Sequence, residues 1–135
     1  MTDLRTVGQR HPECLKLMLN KEIIAVNQDS AALQPQLIYA HTNITGLNYT
    51  QVGSASIVAQ AFMRPLSRHR IAVVVFNRGT TRRMMEVDWK GLAIDPLTQM
   101  SVRDIIRGDD LGVVSGKWVA DVESHGVYFV VLTPL

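Results

Sequence analysis

The chain has 135 residues, of which 47% are hydrophobic and 19% charged, and a net charge of +2. That is enough apolar chain for one globular domain with its own core, and too hydrophobic for disorder. Basic residues cluster no further than Arg68-His69-Arg70 and Arg82-Arg83, and only 6% of residues are aromatic, so no nucleic-acid partner is expected.

No stretch approaches the ~20 apolar residues of a membrane span, so no membrane partner is expected. Residues 1–10 hold no apolar signal core, and nothing within the chain is expected to direct it to export. The single cysteine, Cys14, excludes an internal disulfide and reads as a half-buried structural thiol.

In chain order, Leu15, Met18 and Leu19 recur at helical spacing within residues 8–21, and Pro12 suits a first helical turn. The spacing predicts a helix. Glu22-Ile-Ile-Ala-Val26 follows at once. A short continuous apolar run after a helix suits a strand buried on both faces of a parallel sheet, although a buried helix would read the same. Small and polar residues then lead to Pro35 and mark a boundary.

Beyond Pro35, seven segments rich in Val, Ile and aromatics alternate with turn residues: 36–42, 55–63, 70–78, 82–89, 98–106, 116–123 and 126–133. They predict a mainly β fold, an antiparallel β-sandwich of Greek-key type or a barrel. Residues 72–76 and 128–132 read as central strands covered on both sides. By contrast, Trp118, Ala120 and Val122 alternate with Val119, Asp121 and Glu123, the pattern of a one-sided strand.

Few residues offer chemistry. Asp109 and Asp110, between Gly108 and Gly112, read as a solvated turn whose spacing matches no calcium loop. His11, His41, His69 and His125 lack the pairing of a zinc site. No glycine-rich phosphate loop and no Gly-x-Ser-x-Gly elbow occurs, so neither metal nor cofactor is expected. Asn43-Ile-Thr and Asn48-Tyr-Thr are glycosylation sequons, which would place the protein in the secretory pathway if used. For a sugar platform, Trp89, followed by Lys90-Gly91 at a strand end, is the best candidate; Trp118 and Tyr128 lie within strands and read as core.

Asp3-Leu-Arg, and then Leu19-Asn-Lys-Glu-Ile-Ile-Ala-Val-Asn-Gln-Asp29, resemble a segment of the glycoside hydrolase family that holds α-galactosidases and α-N-acetylgalactosaminidases. There the second motif is the eighth strand of a (β/α)8 barrel. Residues 61–66 followed by 71–79 are similar to the first strands of that family's C-terminal domain, and 102–106, 110–112 and 124–134 to its last. The chain departs from the pattern at Ser30-Ala31-Ala32, where the family has Pro-Leu-Gly, and at Phe62 and Ile106, where it often has Trp. The turn at 67–70 also lacks the common Asp-Gly.

The resemblance implies a helix–strand remnant of the barrel, residues 1–32, preceding the antiparallel sandwich, residues 33–135. It further implies hydrolysis of terminal α-galactosyl bonds by a full-length enzyme. A retaining glycosidase needs two carboxylates about 5–5.5 Å apart. In the family both are aspartates on barrel strands earlier than the Asp-Leu-Arg at which this chain starts. No catalytic residue is therefore assigned, Asp3 and Asp29 included, and the chain alone is expected to be inert.

Asn27, Gln28 and Asp29 are expected to anchor the strand end and its loop. The expected partner is the missing barrel or, through the unpaired strand at 22–27, a second copy of the chain; otherwise that segment should tuck onto the sandwich. A stand-alone carbohydrate- or partner-binding module is the alternative. A secretory or lysosomal location follows if the family and the sequons both apply.

Overall fold

The computed structural model describes residues 9–42 and 57–135. Within them, helices α1 (Pro12–Met18) and α2 (Lys21–Asn27) precede eight strands. These are β1 (Gln36–Thr42), β2 (Ile57–Pro65), β3 (Ile71–Asn77), β4 (Arg83–Asp88), β5 (Gln99–Asp104), β6 (Asp109–Ser115), β7 (Lys117–Val122) and β8 (Val127–Pro134). Six form one antiparallel sheet in the order β1-β2-β3-β8-β5-β6, and β4 pairs with β7 in a second. The β3–β4, β4–β5, β6–β7 and β7–β8 connections all cross between the sheets.

The period-2 apolar pattern builds the core between these layers. Val73 and Val75 of β3 and Val130 and Leu132 of β8 are fully buried in one cluster with Met85, Val87 and Val122 of the small sheet. β3 bonds to β2 and β8, and β8 to β3 and β5, so both are central strands, as their continuous apolar runs predict. All seven expected strands form.

Asn77 ties the sheets together at one end. Its Nδ2 donates to the carbonyls of Thr81, Val122 and Glu123 at 2.7, 3.2 and 3.1 Å, while its Oδ1 accepts from Gly79 N at 2.9 Å. A 2% exposed amide with all these partners satisfies its burial and fixes β3 against the end of β7.

Three expectations are corrected. Asp109 and Asp110 open β6, an exposed edge strand, rather than forming a turn. Gly112 (φ 94°) sits where the register with β5 shifts, and this bulge interrupts the apolar alternation that would have announced the strand. Cys14 is exposed rather than half-buried.

The third correction is larger: residues 22–26 are helical, not a strand. A strand needs ladder partners, and among the described residues none lies beside this segment. A helix closes its own bonds: Ile24 N to Asn20 O at 3.0 Å and Gln28 N to Ile24 O at 2.9 Å. Asn20 caps it, Oδ1 accepting from Glu22 N and Ile23 N at 2.9 and 3.2 Å. The helix expected within residues 8–21 thus forms as α1, while the strand expected at 22–26 does not.

Candidate functional site

The outer face of the six-stranded sheet carries a second apolar cluster. Val26 of α2 is buried with Leu66, Ala72 and Ile105, and Ile23, Phe129 and Val131 pack against them. Ile23 and Val26, three apart on the helix, point the same way, which is how a seven-residue helix presents an apolar stripe. α2 covers this face only in part. Beside it runs a groove of about 420 Å³ between Leu17 and Ile24 of the helices and Phe62, Val74 and Phe129 of the sheet.

Polar groups fix the segment at both ends. At the start of α2, Asn20 Nδ2 donates to Ile105 O at 2.7 Å while its Oδ1 caps the helix. Glu22 receives two parallel hydrogen bonds from Arg103, Nε at 2.6 Å and Nη2 at 2.9 Å, the fork geometry that makes Arg–carboxylate pairs specific. Glu22, then Asp110, hold the Arg103 guanidinium above its ordinary pKa. At the helix end, Arg64 Nη1 donates to the carbonyl of Val26 at 3.0 Å, which also accepts from Asp29 N at 3.4 Å.

Asp29 finishes the clamp. Its side chain is only 4% exposed and accepts from Ala31 N (3.0 Å), Ser67 N (2.7 Å), Ser67 Oγ (2.8 Å) and Arg70 Nη2 (2.9 Å). The amides of Ala31 and Ser67, with the Ser67 hydroxyl and Arg70 behind them, hold its carboxyl at about 2. Such a carboxylate has spent its lone pairs on structure. It is a poor proton donor, and its oxygens are engaged in holding the segment.

Residues 58–132 match the model of the alpha galactosidase C-terminal beta sandwich domain. The chain belongs to that family. Alpha-galactosidase 3 of Arabidopsis thaliana is 33% identical over 123 residues, covering 90% of this chain but 25% of the relative. The alpha-galactosidase of Cyamopsis tetragonoloba is 27% identical over 119 residues, 88% of this chain and 25% of the relative. The chain thus spans about a quarter of the length of these relatives.

Among solved structures, alpha-galactosidase I from Mortierella vinacea superposes with a TM-score of 0.69 at 26% identity, over 87% of this chain and 27% of that one. The Saccharomyces cerevisiae α-galactosidase shares the fold, with a TM-score of 0.70 at 15% identity, over 90% of this chain and 37% of that one. The part matched by the family model is the non-catalytic β-sandwich of α-galactosidases.

The α-galactosidase-type motifs can now be read as structure. The Asn of Phe76-Asn77-Arg78 bridges the sheets, and the Asp of Val102-Arg103-Asp104 is fully buried, holding its turn through Ile106 N, Arg107 N and Arg107 Nη1. Trp89, the candidate sugar platform, is not available to a sugar: it is 0% exposed, with Nε1–H donating to Thr98 O at 2.9 Å. The Lys90-Gly91 that follows it is a turn outside the core, but the indole itself folds inward beside Met85 and Val87. Trp118 is buried, and Tyr128 packs edge-on against it with centroids 6.0 Å apart.

Asn43, Asn48 and Asp3 lie outside the described residues. Asn27 and Gln28 contribute through their backbones, and Asp29 is the loop anchor its polar position suggested. The sequence reading missed Asn20, Glu22, Arg64, Ser67, Arg103 and Asn77. A signal for Asn20 existed: an Asx residue followed by Lys-Glu and an apolar run is a helix N-terminus. For the long-range pairs, such as Glu22 with Arg103, sequence holds no comparable mark.

Proposed function

We propose that the chain serves as the non-catalytic sandwich of an α-galactosidase-like glycoside hydrolase, supporting a (β/α)8 barrel through the outer face of its six-stranded sheet. The whole enzyme would hydrolyse terminal α-galactosyl bonds. The observation that carries the reading is the half-covered apolar face, where Phe62, Val74 and Phe129 border the groove and the Asn20, Glu22 and Asp29 contacts grip the segment entering it. An apolar groove beside a polar clamp is what a lasting interdomain contact requires. The burial of Trp89 removes the support for the sugar-module alternative.

Hydrogen exchange tests this. The chain is mixed with an α-galactosidase barrel expressed without its own sandwich. Added protection is expected in residues 17–29 and on β2, β3 and β8. Protection of the small sheet alone, or none at all, would contradict the docking face. We further propose a secretory or lysosomal location on the condition that Asn43 and Asn48 carry glycans, which a glycosidase-sensitive mobility shift would reveal.

A further inference from the structure

A second groove, of about 520 Å³, opens between the β2–β3 turn and the 89–98 loop. Met63, Leu66, Leu92, Ile94 and Met100 line it, with Arg68, His69 and Arg70 at the turn, and no carboxylate does so among the described residues. Arg70 is committed to Asp29. Arg68 and His69 are exposed, and neither side chain has a partner among the described residues.

The backbone here is strained. Arg68 (φ 60°), His69 (φ 57°) and, from the facing loop, Ala93 (φ 57°) all occupy the left-handed region, and all three line this groove. A two-residue hairpin turn with both central φ positive favours Asn-Gly or Asp-Gly, because those residues tolerate the conformation. Here an arginine and a histidine are held in it instead. The Asp29 contacts to Ser67 N, Ser67 Oγ and Arg70 brace the turn from outside, so the surroundings sustain the strain.

We propose that this groove binds a small organic anion with an apolar body. Its charged head meets Arg68 and His69, and its body lies along the partly exposed Met63 and Ile94. Three features support this: an apolar cleft of ligand size, exposed cationic and donor side chains with no internal partner, and a strained turn that holds those same residues at its edge. Anion binding here does not depend on the barrel-docking reading, which concerns the outer sheet face.

The test uses 1-naphthalenesulfonate as probe and neutral 2-naphthol as comparator, followed by NMR on the whole chain. The sulfonate should shift His69, Leu92 and Ile94, and bind on the order of tenfold more tightly than the naphthol. The double variant Arg68→Asn, His69→Gly should raise the urea midpoint, since it relieves the turn, while losing on the order of tenfold in sulfonate affinity. Arg68→Gln with His69→Gln should lose the same affinity without the gain in stability. Equal binding of naphthol, unchanged affinity in both double variants, or shifts confined to Phe62 and Phe129 would each overturn the proposal.

Discussion

Trp89→Ala puts the reassignment of that residue to a number. The indole is fully buried, and its N–H is bonded to Thr98 O. A buried aromatic side chain keeps about 200 Å² from water, worth about 5 kcal/mol at about 25 cal/mol/Å². Compactness of the unfolded chain reduces that figure, and aromatic-to-alanine changes at closed sites cost about 3–5 kcal/mol. Domains of this kind are stable by on the order of 5–15 kcal/mol, so the variant would sit near its folding threshold.

Urea unfolding followed through Trp118, then the sole tryptophan, gives the difference directly. Trp89→Phe separates the contributions. It keeps most of the apolar area but leaves Thr98 O without its donor, an expected cost of about 1–2 kcal/mol. A loss below about 1 kcal/mol for Trp89→Ala would refute the burial and return the residue to the surface as a binding platform.

Asn77→Ala removes an amide that bonds to four backbone groups, and chemical denaturation should show a loss of about 2–3 kcal/mol. Asp29 is held at about 2 in the folded chain against about 4 unfolded. Its contribution is therefore fully present above about pH 4 and lost as pH falls through about 2. The difference in thermal midpoint between wild type and Asp29→Asn should close over that window; a constant difference down to pH 2 would contradict the clamp. Glu22→Gln breaks the paired hydrogen bonds from Arg103. Amide exchange at Ile24 and Gln28 should then quicken while that of β3 and β8 stays unchanged.

The sandwich was largely legible because strands carry their own signal. Val73, Val75, Val130 and Leu132 advertise burial by composition, and turn residues bound each run. β6 was not, because Asp109, Asp110 and Gly112 are turn residues by type and an edge strand buries too little to show a pattern. Residues 22–26 illustrate a different limit. A run of Ile, Ile, Ala and Val fits a strand or a buried helix equally well, and the outcome is set by which partners lie alongside. Here the available partner is the outer face of a sheet, which accepts a helix, with Arg103 and Ser67 reaching it from far along the chain.

Trp89 failed as a platform for a related reason. A tryptophan next to Lys-Gly looks like a strand end open to solvent. The chain instead turns back through the 89–98 loop, with Ile94 N bonding to Trp89 O at 2.8 Å, and closes over the ring. Nothing in the local residues distinguishes a turn that opens from one that folds over its own aromatic.

Turnover of 4-nitrophenyl α-galactoside by the purified chain alone decides whether the proposed supporting sandwich lacks catalytic groups of its own. No release of nitrophenol above buffer is expected at any protein concentration. Turnover that scales with the concentration of this chain, and survives removal of any contaminating hydrolase, would contradict it.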